Sequence, residues 1–437
     1  MQSRTRHLLI RSANSYVRQE VRPRSFSQTT KALSPIESPG RKTVLIIGGR
    51  SQLGEALRAR FLAAEWDVVC TTQGKANHKF DDKGFHLHGG VDIGKKEAQT
   101  KEYWNKLFSE VSGKYGPIHT VVNCAGISIN DPNAGYSMDD VNAKPVKPML
   151  EAAIDREIPR FTQISTQAVK YKKVRKSGTY AGSKWLAEKN IKETTRIGTK
   201  GTKVTIVRPD LIISSNNPGH FGGPQRMSGP PFKFTAGKDP KNAGKTILQL
   251  VSAYDVSDAI VNISEGNLNT PQPIDMCGPE MHTIGGLQNL FKERRRERYI
   301  VGLKLPTSAL RHATKIHPKG AFEPDHLDLI EHHEKDKIGK VNNDKFARIV
   351  ALSRPENKDS PLLTIKETME FSKRPAYGNH DIGHYTAELL HKTKMKDVLP
   401  LISGAADGVW RSRIDFDPHD KFRNRYKKEG KEPPFDP

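Results

Sequence analysis

The stretch Thr43-Val-Leu-Ile-Ile-Gly-Gly49 limits the possible folds more than any other part of the chain. It is a continuous apolar run that ends in glycines and passes directly into Leu53–Glu65, whose apolar residues recur at helical spacing. A strand without polar alternation is one buried on both faces, which is the environment of a parallel sheet covered by helices. The alternation then continues along the chain. Strands are expected at 66–70, 119–126, 160–165 and 203–209, and helices at 101–112, 146–155 and 179–194. Strands and helices in strict turn predict a doubly wound α/β fold of the Rossmann type. A helix over 253–264, a short strand over 273–278 and a mostly helical stretch over 282–345 follow.

The turn between the first strand and helix reads Gly48-Gly49-Arg50-Ser51-Gln52-Leu53-Gly54. In that position one glycine serves the tight turn and another the close packing of helix on sheet. The helix N-terminus then offers amide hydrogens and the positive end of its dipole to a pyrophosphate. Ser51 stands where the usual G-x-x-G-x-x-G spacing has its middle glycine, and its side chain narrows the gap for phosphate. The second strand ends in Cys70-Thr71-Thr72-Gln73-Gly74-Lys75. An acidic residue there would hold the ribose 2′-hydroxyl of NAD. With no carboxylate, and with Arg50 and Lys75 at hand, the expectation leans to NADP(H) over NAD(H).

Charge and composition narrow the setting. Lys and Arg number 71 against 49 Asp and Glu, a formal net charge of +22. Residues 1–40 hold six Arg and one Lys against two Glu. Arg4, Arg6, Arg11 and Arg18 can share a helix face with Leu8, Leu9, Ile10 and Val17 supplying apolar contacts. That is the composition of a mitochondrial presequence, with Arg24-Ser-Phe-Ser27 as a cleavage-site candidate, so a matrix location is expected. No run approaches the roughly 20 apolar residues that cross a bilayer. Three cysteines, Cys70, Cys124 and Cys277, exclude a disulfide scaffold. The basic runs 291–298 and 421–431 lack the aromatic platform of an RNA-binding motif and read as solvated or partner-binding surface, with an anionic membrane surface as one such partner. His380 and His384 have metal-like spacing but no evident third ligand, and Glu331–Glu334 reads as a solvated helix face, so no metal is expected.

Further motifs resemble the short-chain dehydrogenase/reductase superfamily over residues 42–280, in its extended branch. Val91-Asp92-Ile93 resembles the family's adenine-contacting pair, and Asn123-Cys124-Ala125-Gly126 its N-x-A-G element. Val141-Asn142 and Ser165-Thr166 lie where the family carries an active-site Asn and Ser. Tyr180-Ala-Gly-Ser-Lys184 fits Y-x-x-x-K, and Arg208-Pro209 with Tyr254-Asp255-Val256 are similar to the extended branch. The resemblance implies a catalytic set of Tyr180, Lys184, Ser165 and Asn142. Lys184 would bind the nicotinamide ribose and lower the pKa of Tyr180, Tyr180 would exchange a proton with a substrate oxygen, Ser165 would hydrogen-bond that oxygen and Asn142 would hold a water. Cofactor contacts would come from Gly48, Gly49, Arg50, Ser51, Leu53, Gly54, Thr71, Asp92, Ile93, Asn123, Ala125, Gly126, Tyr180, Lys184 and Pro209. Spacing alone supports only the pairing of Tyr180 with Lys184, which share a helix face one turn apart.

Two readings of function result. One is a mitochondrial oxidoreductase acting on a hydroxyl or carbonyl of a small-molecule substrate beneath the Gly/Pro-rich segment 215–245. The other is a non-catalytic, dinucleotide-binding member of a large assembly. The chain resembles the NAD(P)H-binding accessory subunits of respiratory complex I, Gly320-Ala-Phe-Glu-Pro324 included, and a ubiquinone-biosynthesis helper is a related role. The expected organisation is a presequence and linker over 1–40, the dinucleotide domain over 41–280, a smaller helical C-terminal portion over 281–345 and a basic extension over 346–437.

Overall fold

The computed structural model describes residues 41–74, 84–128, 135–214, 232–237, 241, 244–266, 272–295, 301–309, 311, 341–357 and 359–370. The presequence, Lys75, most of 215–245, residues 320–324, Glu331–Glu334, both metal-spaced histidines and the 421–431 run lie outside the described residues.

Seven strands make one sheet: β1 (Thr43–Ile47), β2 (Asp67–Thr71), β3 (Phe85–His88), β4 (Ile118–Asn123), β5 (Arg160–Ile164), β6 (Lys203–Pro209) and β7 (Ile274–Met276). Their order is β7-β6-β5-β4-β1-β2-β3, with every pair parallel. Between them run α1 (Gln52–Ala63), α2 (Lys101–Tyr115), α3 (Met138–Asn142), α4 (Val146–Asp155), α5 (Tyr180–Ile197) and α6 (Ala253–Ser264). The chain order reverses between β1 and β4, the place where open α/β sheets bind ligands beyond their strand ends.

β1 is buried along its whole length because it packs on both faces. Val44 and Ile46 join Leu57 and Phe61 of α1 and Val256 and Ile260 of α6. Leu45 and Ile47 face the other way, toward Trp104 and Phe108 of α2 and Met149 of α4. The doubly wound fold is therefore as expected. The edge strand β3 carries no continuous apolar run, and its existence was legible only by implication.

Two stretches differ from expectation. Within 282–345, α7 (Ile284–Arg295) is helical, but Val301–Pro306 is a strand paired in parallel with Phe232–Gly237. The alternation of Val301, Leu303 and Leu305 is a two-residue period, which the neighbouring basic helical run obscures. The expected boundary at 345/346 also cuts through α8 (Asp344–Ala351). Phe346, Ile349 and Val350 of that helix enter the same core as β1 and α6. Arg354 then reaches back to Asp255 at 2.7 Å and Asp258 at 2.6 Å, both fully buried on α6. The described residues of 344–370, ending in α9 (Ile365–Glu370), thus belong to the folded body and are not a separable tail.

Candidate functional site

The loop after β1 is built around close contacts. Gly48 has φ +83°, and a Cβ on it would lie 2.7 Å from the Cα of Ala125, so no other residue fits. Its N–H donates to Thr71 Oγ1 at 3.1 Å. Thr71 therefore braces the loop from below, a structural use in addition to the cofactor contact expected of it. Ser51 is the N-cap of α1, its Oγ accepting from the Gly54 N–H at 3.0 Å and lying 3.2 Å from Cys124 Sγ. The serine in the middle-glycine position thus occupies one helix-terminal donor itself. Among the described residues the amides of Gln52 and Leu53 have no hydrogen-bond partner, as expected of the first turn of a helix, and such a turn favours an anion. Gly54 is required in turn, since a Cβ there would stand 2.6 Å from the Gly48 carbonyl oxygen.

Around the loop, Asp92 accepts from the Gly94 N–H at 3.1 Å and from Gln73 Nε2 at 2.9 Å. Ile93 packs on the second core, Pro209 is buried at the end of β6 and Arg50 is exposed. Asn123 ties two strand ends together, donating to Gln163 Oε1 at 2.8 Å while its Oδ1 accepts from the Ala125 N–H at 3.3 Å. That bond shapes the turn through Ala125 and Gly126. The geometry fits a dinucleotide: the glycines pack the loop tightly onto Ala125 and onto itself, and it lies at the ends of β1 and β4 where the N-terminus of α1 begins.

The second half of the site rests on α5. Thr179 caps it, accepting from the Gly182 N–H at 3.0 Å, and places half-buried Tyr180 in the first turn. One turn on, Lys184 is only 3% exposed. Its ammonium donates to the Ile164 carbonyl at 3.1 Å and lies 5.9 Å from the centroid of the Tyr180 ring. Asn142 closes the floor. Its amide donates to the Ile127 carbonyl at 2.8 Å and to Ser183 Oγ at 2.9 Å, and its oxygen accepts from the Ile127 N–H at 2.9 Å. A Cβ on Gly126 would meet both Lys184 Nζ, at 2.9 Å, and Asn142 Oδ1, at 3.0 Å, so these two polar atoms flank the same glycine.

Ser165 is placed differently from the other three. Its hydroxyl donates to Glu188 Oε1 at 2.6 Å, and the residue is 2% exposed. Glu188 is itself buried and takes two further bonds from Arg208, Nε at 2.8 Å and Nη2 at 2.6 Å. The Ser165 hydroxyl is thus committed to an internal ion pair. The backbone is extended at the next residue, Thr166, which turns its side chain to the opposite face. Thr166 is half-buried, and among the described residues its hydroxyl makes one bond, accepted from the Ala168 N–H at 3.3 Å. Sequence reasoning passed over both Thr166 and Glu188. Strand alternation was the available signal for the first, and the spacing of four residues beyond Lys184 for the second.

Burial pushes the Lys184 ammonium down to about 8, with Cys124 opposing weakly. Two opposite pH effects are expected from this one group. Folding stability should rise between about pH 8 and the unfolded lysine value, because the unfolded chain there binds a proton that the folded chain has released. Dinucleotide affinity, if the ammonium holds the ribose, should fall over the same range. Chemical denaturation and dinucleotide titration from pH 6.5 to 9.5 check both signs.

Residues 44–274 match the model of the NAD dependent epimerase/dehydratase family. An NADP-dependent (R)-specific alcohol dehydrogenase of Lentilactobacillus kefiri is 26% identical over 117 residues, which are 26% of this chain and 43% of that one. The chain thus spans less than half the length of that curated relative. Among solved structures, Bordetella bronchiseptica WbmH in complex with NAD+ shares 19% identity over 61% of this chain and 88% of its own, with a TM-score of 0.46. Bacillus cereus UDP-glucuronic acid 4-epimerase in complex with NAD shares 16% identity over 60% and 88%, with a TM-score of 0.45.

Proposed function

The chain belongs to the NAD dependent epimerase/dehydratase family, and on that premise we propose that it is an NAD(P)(H)-using oxidoreductase acting on a hydroxyl or carbonyl group. The observation that carries this reading is the placement of Lys184. Its ammonium is buried at the strand ends, held by the Ile164 carbonyl, one helical turn from Tyr180 and against Gly126.

A bound nicotinamide would supply the hydride donor or acceptor. The chain's own residues would do the rest. The loop 48–54 and the free amides of Gln52 and Leu53 hold the pyrophosphate, Asp92 and Ile93 border the adenine, and Lys184 orients the ribose. The Tyr180 phenol passes the proton to or from the substrate oxygen, favoured as a phenolate by the lysine charge. Thr166 takes the role first expected of Ser165 and donates a hydrogen bond to that oxygen. Asn142 fixes the 127 backbone and leaves an oxygen lone pair beside Lys184 for a water. The absence of a carboxylate after β2 keeps the preference for NADP(H), and the basic leader keeps the mitochondrial matrix as the compartment. Reduction of a carbonyl panel with NADPH and with NADH, followed by loss of nicotinamide absorbance, tests the reading. Turnover with no carbonyl and no alcohol, by a protein that binds the dinucleotide, would reject it.

The second reading, an accessory subunit of a large mitochondrial assembly such as respiratory complex I, is favoured by the commitment of Ser165 to Glu188 and of the Asn142 amide to Ile127 and Ser183. Two groups expected in catalysis are spent on structure. Since residues 344–370 are part of the core, an assembly test needs a truncation after residue 370. On this reading that truncation should keep the fold and lose co-migration with a megadalton complex on native gels, whereas unaltered co-migration would count against a docking role for the tail.

A further inference from the structure

Residues 158–187 contain no Asp or Glu and seven Lys or Arg. Two of the seven, Arg160 and Lys184, are buried. The other five, Lys170, Lys172, Lys173, Arg175 and Lys176, fall within one short strap between β5 and α5. The strap consists of two 3-10 turns, Gln167–Lys170 and Lys172–Val174. Val169 and Val174 are buried, and Val174 packs with Ala168 and with Ala181 of α5. The strap lies so close on the first turn of α5 that a Cβ on Gly182 would stand 1.8 Å from the Lys176 carbonyl oxygen. Apolar residues therefore anchor the strap while Lys172, Lys173 and Lys176 stand exposed.

The neighbouring groups add to this. Lys170 is paired with Asp275 at 2.9 Å. The Arg175 guanidinium lies 5.8 Å from the ring centroid of Trp185, which is 38% exposed and among the few large apolar side chains at the surface. We propose that this strap, with Trp185 beside it, is a docking surface for the phosphate headgroups of an anionic bilayer.

Three features favour a bilayer over other anions. Lys172 and Lys173 are adjacent on one short turn and Lys176 follows three positions later, so they offer a spread of exposed point charges and not a bidentate pocket for one phosphate. Lysine is depleted at protein–protein interfaces, where arginine is preferred. An exposed tryptophan next to lysines is the pairing that settles at the headgroup level of a membrane. The strap leads within four residues to Tyr180, so docking would bring the site on α5 close to the lipid surface.

Vesicle co-sedimentation of the full chain tests the proposal, using phosphatidylcholine vesicles with and without phosphatidylglycerol. The wild type should pellet only with the anionic vesicles, less so as salt is raised. The K172E/K173E/K176E variant should lose about 100-fold in binding, at roughly fivefold per lysine removed, while retaining the wild-type dinucleotide affinity as its check on folding. Trp185→Ala should weaken binding without changing its salt dependence. Three outcomes would overturn the assignment. One is a wild type that ignores anionic vesicles, including one captured by poly-glutamate instead, which would move the surface to an acidic protein. Another is a triple variant that still pellets, which would place binding on the other basic segments. The third is displacement by millimolar glycerol phosphate, which would make the strap a solute site.

Discussion

Tyr180→Phe is expected to lower turnover by about 10²–10⁴-fold, the usual contribution of a positioned general acid–base group, and to leave dinucleotide affinity unchanged. The substitution removes one oxygen from a half-buried side chain at the start of α5. The helix is capped by Thr179 and not by Tyr180, so the first turn keeps its hydrogen bonds. The Lys184 ammonium keeps its bond to the Ile164 carbonyl. What the variant loses is the only phenol within one turn of that lysine. The accessory reading predicts a different pattern, in which there is no turnover to lose and the variant binds the dinucleotide as the wild type does. Steady-state rates and a binding titration on the same two preparations separate the cases.

The second large effect is on stability. Glu188→Gln keeps the shape of the side chain and removes its charge, leaving the half-buried Arg208 guanidinium without its hydrogen-bonded counter-ion and with only the more distant charge of Asp275. Breaking a fully buried pair costs about 3–5 kcal/mol. Because Arg208 keeps part of its solvation, the loss here is expected at roughly 2–3 kcal/mol, between that range and the value of an exposed pair. The expected result is a urea midpoint shifted strongly downward with little change in slope. Adding Arg208→Met should recover much of the loss, since an apolar replacement of both partners is often neutral. A loss in Glu188→Gln below about 1 kcal/mol, typical of an exposed pair, would mean that the carboxylate does not hold β5, β6 and α5 together.

The fold was legible because its first strand is of the most readable kind. β1 is buried on both faces, and its sequence TVLII is an almost unbroken apolar run. β4 (IHTVVN) and β5 (RFTQI) are likewise buried but mix polar residues in. They were placed by the helices around them, of which α1, α2, α3 and α5 carry side-chain caps. The helix α6 over 253–264 was read to the residue. Legibility failed where the signal was shared or weak. Val301–Pro306 alternates, but it follows a basic helical run and pairs with a strand some 70 positions earlier, a partnership no local pattern records. The helix α8 is short, and its three core residues lie in a Lys- and Asp-rich stretch that reads as a tail.

The site divides in the same way. Gly48, Gly54, Asn123, Tyr180 and Lys184 stand where their spacing puts them, because turn geometry and helix periodicity are local properties. Ser165 and Thr166 are adjacent hydroxyls at a strand end, and only tertiary contacts decide which one is spent. Glu188 and Arg208, 20 positions apart, claim Ser165. Thr71 is a similar case, since its hydroxyl is taken up by the backbone of Gly48.

The central claim is that the glycine loop and Lys184 form one dinucleotide site. Fluorescence titration of the purified full chain with NADPH and NADH, beside a Lys184→Met variant, tests it most directly. The account predicts saturable binding of one dinucleotide per chain, tighter for NADPH, and at least about tenfold weaker in the variant, as for the loss of a charge-assisted hydrogen bond. No saturable binding of either dinucleotide, or equal affinity in Lys184→Met, would contradict it.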